Sequence, residues 1–134
     1  MNEKPLLYLA GGMYSGWQDK VKKRLGCEVD YYDPRYDTDQ TCIAWFSVDD
    51  LDHATRCDWM IAYFELSNPS GLGLAAEMGI ARAHGRKILL IDEHPRLHGL
   101  LVGLATEVWT SFDEALDWFA KKLNGEQDNK TWEP

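Results

Sequence analysis

Long apolar runs are missing from this sequence. Its apolar stretches are no longer than a strand or a short helix, which excludes a membrane-spanning helix of about 20 residues. Cysteine is scarce and unpatterned: the three, Cys27, Cys42 and Cys57, are odd in number and have no C-x-x-C spacing. That excludes a disulfide framework and a cysteine-built zinc site, and points to reduced thiols in a cytoplasmic protein. Positive charge is also short, with 14 Lys and Arg against 22 Asp and Glu and a formal net charge of -8. A nucleic-acid polymer is therefore not an expected partner, since such binding rests on basic patches that displace counterions. The opening "MNEKPLLYLAGG" carries one lysine before an apolar run that Gly11 closes, too short and too weakly flanked for a signal peptide. His94 and His98 lack a third ligand at metal spacing, so no metal is expected, and no cofactor.

What is present suits one globular domain. The chain has 134 residues, 45% hydrophobic and 12% aromatic, enough for one sizeable core and too few for two. The domain is expected over residues 1–123, followed by a tail over 124–134.

Strands and helices alternate along it. "PLLYLAGG" (5–12) reads as a strand stopped by two glycines, and "WQDKVKKRL" (17–25) as a helix with Trp17, Val21 and Leu25 on one face. "CEVDYY" (27–32) alternates as a second strand, and "DPRYDTDQT" (33–41) is a polar loop. "SVDDLDHATRC" (47–57) reads as a helix opened by a capping box of Ser47 and Asp50. "DWMIAYFEL" (58–66) and "KILLID" (87–92) are apolar strands of the doubly buried kind, with a helix over 70–84 between them. Residues 97–108 are ambiguous apart from a short strand near "TEVW", and "SFDEALDWFAKKL" (111–123) is an amphipathic helix capped by Ser111 and Glu114. So short a chain of alternating elements implies a doubly wound, flavodoxin-like α/β fold: a parallel sheet of about five strands flanked by helices.

In such sheets ligands bind beyond the carboxyl ends of the strands. The glycine-rich segments there are "AGGMYSG" and "SNPSGLG". Gly71, Gly73 and Ala76 fit the dinucleotide pattern G-x-G-x-x-A with Asp92 ending the next strand, so a dinucleotide-binding or dinucleotide-cleaving domain is one reading. Another is that the small residues simply let a helix approach the sheet. Neither explains Glu77, an acid whose helical neighbours Gly73, Leu74, Ile80 and Ala81 are all apolar. A partly desolvated carboxylate at the mouth of a glycine-rich loop suits a nucleophile or a general acid/base. If Ser70 opens the helix, Glu77 lies about 10 Å along it and leans back, leaving roughly 6–7 Å to the helix mouth. That gap matches the reach from a 5′-phosphate or 5′-hydroxyl to the anomeric carbon of a pentose.

Three blocks carry a family resemblance: "LYLAGGM" before a tryptophan-led helix, "DDLDHATRCDWMIAYFE", and "NPSGLGLAAEMGIARAHGRKI". Together, over about residues 6–92, they resemble the nucleoside 2-deoxyribosyltransferase family and its nucleotide-hydrolysing relatives. The resemblance implies that Glu77 is the nucleophile, with Met78, Gly79 and Ala81 completing the family's E-(I/L/M)-G-x-A pattern. It implies that Asp50, eight residues before Asp58, handles a proton or contacts the base, and that Tyr8 hydrogen-bonds the glutamate. Gly11, Gly12, Met13, Ser70, Gly71 and Gly73 would line the substrate, Ser70 resembling a phosphate-holding serine. From its place in the loop facing the crevice, Arg35 is a further candidate for a phosphate or carboxylate. The substrate implied is a small nucleoside or nucleotide, the reaction cleavage or transfer at its N-glycosidic bond, and the partner a second copy of the chain in a homo-oligomer. A non-catalytic nucleotide-binding module remains the third reading.

Overall fold

The computed structural model describes residues 4–37, 43–68, 71–95 and 98–125, with only the backbone for 43–47. Its five strands form one all-parallel sheet in the order β2-β1-β3-β4-β5. They are β1 (Leu6–Gly11), β2 (Asp30–Tyr32), β3 (Trp59–Phe64), β4 (Lys87–Asp92) and β5 (Glu107–Trp109). The helices are α1 (Trp17–Leu25), α2 (Pro34–Asp37), α3 (Ile43–Arg56), α4 (Leu72–Ala83), α5 (Gly99–Leu104) and α6 (Phe112–Leu123). This is the doubly wound fold expected from the alternation.

Side chains alternate across the strands and so supply two cores. Leu7 and Leu9 of β1 join Ile61, Tyr63, Leu89 and Ile91 under α1 and α6, where Trp17, Val21, Leu116 and Phe119 meet them. Tyr8 and Ala10 point the other way, with Met60, Ala62, Ile88 and Leu90, toward Ala54 of α3, Leu74, Met78 and Ala81 of α4, and Leu101 of α5. The central strands are apolar on both faces because both faces are covered.

Several boundaries differ from the sequence expectation. The second strand is shorter: Gly26, at the positive φ of 73, ends α1 with its N–H donating to the Lys22 carbonyl, and Gly26–Glu28 coil tightly before β2. The loop after it opens as a helical turn, because Pro34 presets the first helical position and the Asp33 carboxylate accepts from the Arg35 N–H at 3.1 Å. Helix α3 begins at Ile43, so Ser47 and Asp50 do not form its capping box; Asp50 lies mid-helix. The ambiguous stretch 97–108 holds α5 and then β5. At α6 the expectation holds, the Ser111 hydroxyl accepting from the Glu114 N–H at 3.3 Å. Trp17, on the apolar face of α1 with Val21 and Leu25, is 2% exposed.

Gly11 is where the fold is least permissive. At φ +152 it occupies a conformation that side chains rarely adopt, and an added Cβ would sit 2.5 Å from the Tyr63 carbonyl of the neighbouring strand. Gly16, at φ +81, has nothing within 4 Å. In urea melts Gly11→Ala is expected to cost roughly 2–4 kcal/mol, well above Gly16→Ala, which carries only the conformational part. Equal costs would mean that β1 and β3 part freely at this edge.

Candidate active site

The strand order reverses between β1 and β3, so a crevice opens beyond their carboxyl ends. Both glycine-rich loops leave from that edge. The second of them leads into α4, whose face turned to the sheet carries Leu74, Met78 and Ala81, all buried. Glu77 precedes Met78 and is only partly exposed. It takes a hydrogen bond from the hydroxyl of Tyr8, a wholly buried residue of β1.

Tyr8 and Tyr32 are register partners on β1 and β2, with ring centroids 5.1 Å apart. The Tyr32 hydroxyl donates to Asp50 Oδ1 at 2.9 Å. Two tyrosines thus bring two carboxylates, from α4 and α3, to one side of the sheet. His53, one turn beyond Asp50, stacks on Tyr32 with centroids 3.8 Å apart, and its Nδ1 lies 2.8 Å from the Asp49 carbonyl.

The electrostatics follow from burial. Desolvation raises the Glu77 pKa to about 7; the Tyr8 hydrogen bond opposes this and the charge of Asp50 adds to it. Tyr8 is pushed far above the ordinary phenol value, first by burial and then by the charge of Glu77. It therefore stays protonated and can only donate to the glutamate. The pair joins a carboxylate whose charge is easily lost to a hydroxyl whose proton is not.

The remaining residues singled out from the sequence are distributed as follows. Gly11 ends β1 against the Tyr63 carbonyl of β3, Gly12 lies against the Glu65 carboxylate, and Met13, half-buried, follows them. The Gly12 carbonyl accepts from Trp17 Nε1 at 2.9 Å and Gln18 Nε2 at 3.0 Å, which ties this loop to α1. Gly71 precedes α4 and lies against Phe64, where an added Cβ would be 3.0 Å from the ring. Gly73 has nothing within 4 Å, and Ala76 is exposed, so close packing does not account for either. The exposed Ala76 also lacks the helix-to-strand contact that the third small residue makes in a dinucleotide fingerprint. Ser70 lies outside the described residues. Arg35 is held by acids: Asp19 at 2.8 Å and the fully buried Asp33 at 2.7 Å. Lys22 also binds Asp33, at 2.9 Å. Asp58, at the far end of β3, accepts from the Leu6 N–H at 2.7 Å and is structural.

Two groupings were not read from the sequence. One is Tyr32 with His53; a signal was available in the i, i+3 spacing of Asp50 and His53 and in Tyr32 matching Tyr8 on the neighbouring strand. The other is Asp92, His94 and His98, whose ligand atoms lie within 4.8 Å of one another. Counting histidines along the chain overlooked the aspartate that ends β4.

A concavity of about 500 Å³ lies at the opposite edge of the sheet, lined by Lys4, Pro5, Asp58, Trp59, Arg86 and Lys87 among others. Its one lining carboxylate, Asp58, is taken up by the Leu6 backbone and no tyrosine lines it, so the chemistry and not the volume locates the candidate site.

No family model matches this chain, and no curated protein matches it. Solved structures do. A 2-deoxyribosyltransferase from Bacillus psychrosaccharolyticus is similar at a TM-score of 0.65 and 16% identity, over 88% of this chain and 95% of that one. The CMP N-glycosidase BcmB of Clostridium botulinum is similar at 0.63 and 21% identity, over 85% and 96%. The Vibrio vulnificus NanR protein, in complex with ManNAc-6P, matches at 0.52 and 14% identity, over 92% of this chain and 48% of that one. At these identities the likeness is one of fold, and among the proteins that share the fold are both activities of the family that the sequence resembles.

Proposed function

We propose that the chain cleaves or transfers at the N-glycosidic bond of a nucleoside or nucleotide, with Glu77 as nucleophile. The observation that carries this reading is the hydrogen bond from buried Tyr8 to a desolvated Glu77 beside the switch point of the sheet. The fold shared with a 2-deoxyribosyltransferase and a CMP N-glycosidase supports it.

Tyr8 donates to Oε2, which leaves Oε1 to attack C1′. As the C–O bond forms, the bond from C1′ to the base nitrogen breaks and its electron pair leaves with the base. Water, or Asp50 once it has taken a proton from water, delivers the proton that the base takes up. Water or a second base then displaces Glu77 from C1′, giving hydrolysis or transfer respectively. Gly11, Gly12, Met13, Gly71, Gly73 and Ser70 line the substrate in this reading, which needs no cofactor. Arg35, paired with Asp19 and Asp33, is the further candidate for a phosphate or carboxylate of the substrate.

A homo-oligomer is part of the proposal. Tyr14, Leu66, Leu72 and Leu100 are exposed large apolar residues that follow β1, β3 and β4 at the edge bearing the site, and a second copy would cover them. Light scattering on the purified chain is expected to give a mass of at least a dimer at micromolar concentration; a monomer overturns this part.

The activity is tested by incubating the chain with ribo- and deoxyribonucleosides and their 5′-monophosphates, with and without a second free base, and separating bases by chromatography. Released base is expected for at least one substrate. Glu77→Gln should lower the rate at least about 10³-fold, Asp50→Asn by roughly 10²-fold and Tyr8→Phe least. Wild-type turnover by Glu77→Gln overturns the nucleophile. Ligand binding without any base release would favour a binding module, and tight NAD binding a dinucleotide domain.

The raised pKa gives two pH dependences of opposite sign. Attack needs the carboxylate, so kcat/KM is expected to climb as pH rises through about 7. Folding responds the other way. The folded pKa of about 7 lies above the unfolded value of 4.5, so the stability linked to this group is full below 4.5 and lost as pH rises through 7. Relative to Glu77→Gln, the wild type should lose roughly 1–3 kcal/mol across that window in urea melts. An unchanged difference would mean that Glu77 is solvated.

A further inference from the structure

Beyond the strands that carry the glycosidic site, β4 ends on a second constellation. Asp92 is wholly buried, and its two carboxylate oxygens face two imidazoles: Oδ1 lies 2.9 Å from His94 Nδ1, and Oδ2 lies 3.0 Å from His98 Nδ1. We propose that Asp92, His94 and His98 form a three-residue binding site for a divalent transition-metal ion of the zinc class.

Stapling the loop after β4 does not require this convergence. Asp92 already accepts from the His94 N–H at 3.0 Å and the His98 N–H at 3.4 Å, which fixes the turn through the backbone. The imidazoles add the same ring nitrogen, from two residues, to one carboxylate. Oxygen-to-nitrogen spacings of 2.9 and 3.0 Å match the edge between adjacent ligands around a six-coordinate ion with bonds of about 2.1 Å; a four-coordinate ion needs about 3.4 Å, so the imidazoles would move apart by about half an ångström to admit one. An ion seated between them would take both Nδ1 atoms and the carboxylate. Each neutral imidazole then carries its proton on Nε2 in place of Nδ1.

The surroundings suit a bound cation. Phe64 walls the cluster, its ring 4.2 Å from His94 and 4.7 Å from His98, and shields the charges from solvent on that side. The ligands pass from buried Asp92 through His94, at 19% side-chain exposure, to His98 at 45%. The ion would therefore keep solvent-facing positions for water or an anionic group. Two imidazoles and one carboxylate suit zinc, nickel, cobalt or copper; magnesium and calcium prefer oxygen alone. The ion has no part in the glycosidic step, and the inference stands whether or not Glu77 is a nucleophile.

The full chain, freed of metal by a chelator and dialysed, is titrated calorimetrically with Zn²⁺ and separately with Mg²⁺, and with Co²⁺ by visible absorption. One equivalent of Zn²⁺ is expected to bind with a Kd of about 10 µM or tighter, with no response to Mg²⁺. His94→Ala and His98→Ala should each weaken Zn²⁺ roughly tenfold or more, and the Co²⁺ band should fade with them. His84→Ala, at an exposed histidine elsewhere, should bind as the wild type does, as should Glu77→Gln. Circular dichroism confirms that the histidine variants are folded. Absence of saturable Zn²⁺ binding by the wild type up to about 1 mM overturns the site, as does binding that neither histidine replacement weakens.

Discussion

A carboxylate withdrawn from water must be compensated, and in this protein the compensation is one hydrogen bond reaching from the middle of a sheet to a helix. The Tyr8 hydroxyl is fixed by a ring buried among Tyr32, Met60 and the face of α4, so its position is as rigid as the core. Glu77 is thereby held on the inner side of its helix rather than turned to solvent, where most helical glutamates go. What remains of its desolvation is the raised pKa. A residue with that history is poised between charge and neutrality near physiological pH, which is a condition for acid, base or nucleophile chemistry.

The parallel sheet makes the rest of the constellation follow from register. Because β1 and β2 run the same way and Tyr8 pairs with Tyr32, two hydroxyls leave one face of the sheet side by side. Helices α3 and α4 cross that face and each lowers one acid onto one hydroxyl. Asp50 and Glu77, 27 positions apart in sequence, become neighbours whose charges interact.

The sequence carried the fold well because its signals were of the strong kind: doubly apolar strands, glycine punctuation, and a serine cap at the last helix. Glu77 stood out for the same reason, as an acid among apolar neighbours. The failures have physical causes. Ser47 and Asp50 matched a capping box, but matching spacing cannot show that α3 has already run for a turn before it. Pro34 and Asp33 wrote a helix start into what reads as a polar loop. Asp19, on another element, adds to the partners of Arg35 an acid that adjacency in sequence does not show. The pairing of Asp92 with His94 and His98 joins residues two and six positions apart outside any regular element, which no periodicity encodes.

The peptide that joins Gly12 to Met13 is held in one orientation, since the indole of Trp17 and the amide of Gln18 both bind its carbonyl from the α1 side. A trans peptide sets its N–H opposite its C=O. With the carbonyl committed toward α1, the Met13 N–H is aimed away from that helix. The first glycine-rich loop is therefore polarised: on the side away from α1 this peptide shows a donor and no acceptor. A sugar hydroxyl or an anionic oxygen resting there would find a partner, whereas a donor group would meet a dipole of the wrong sign.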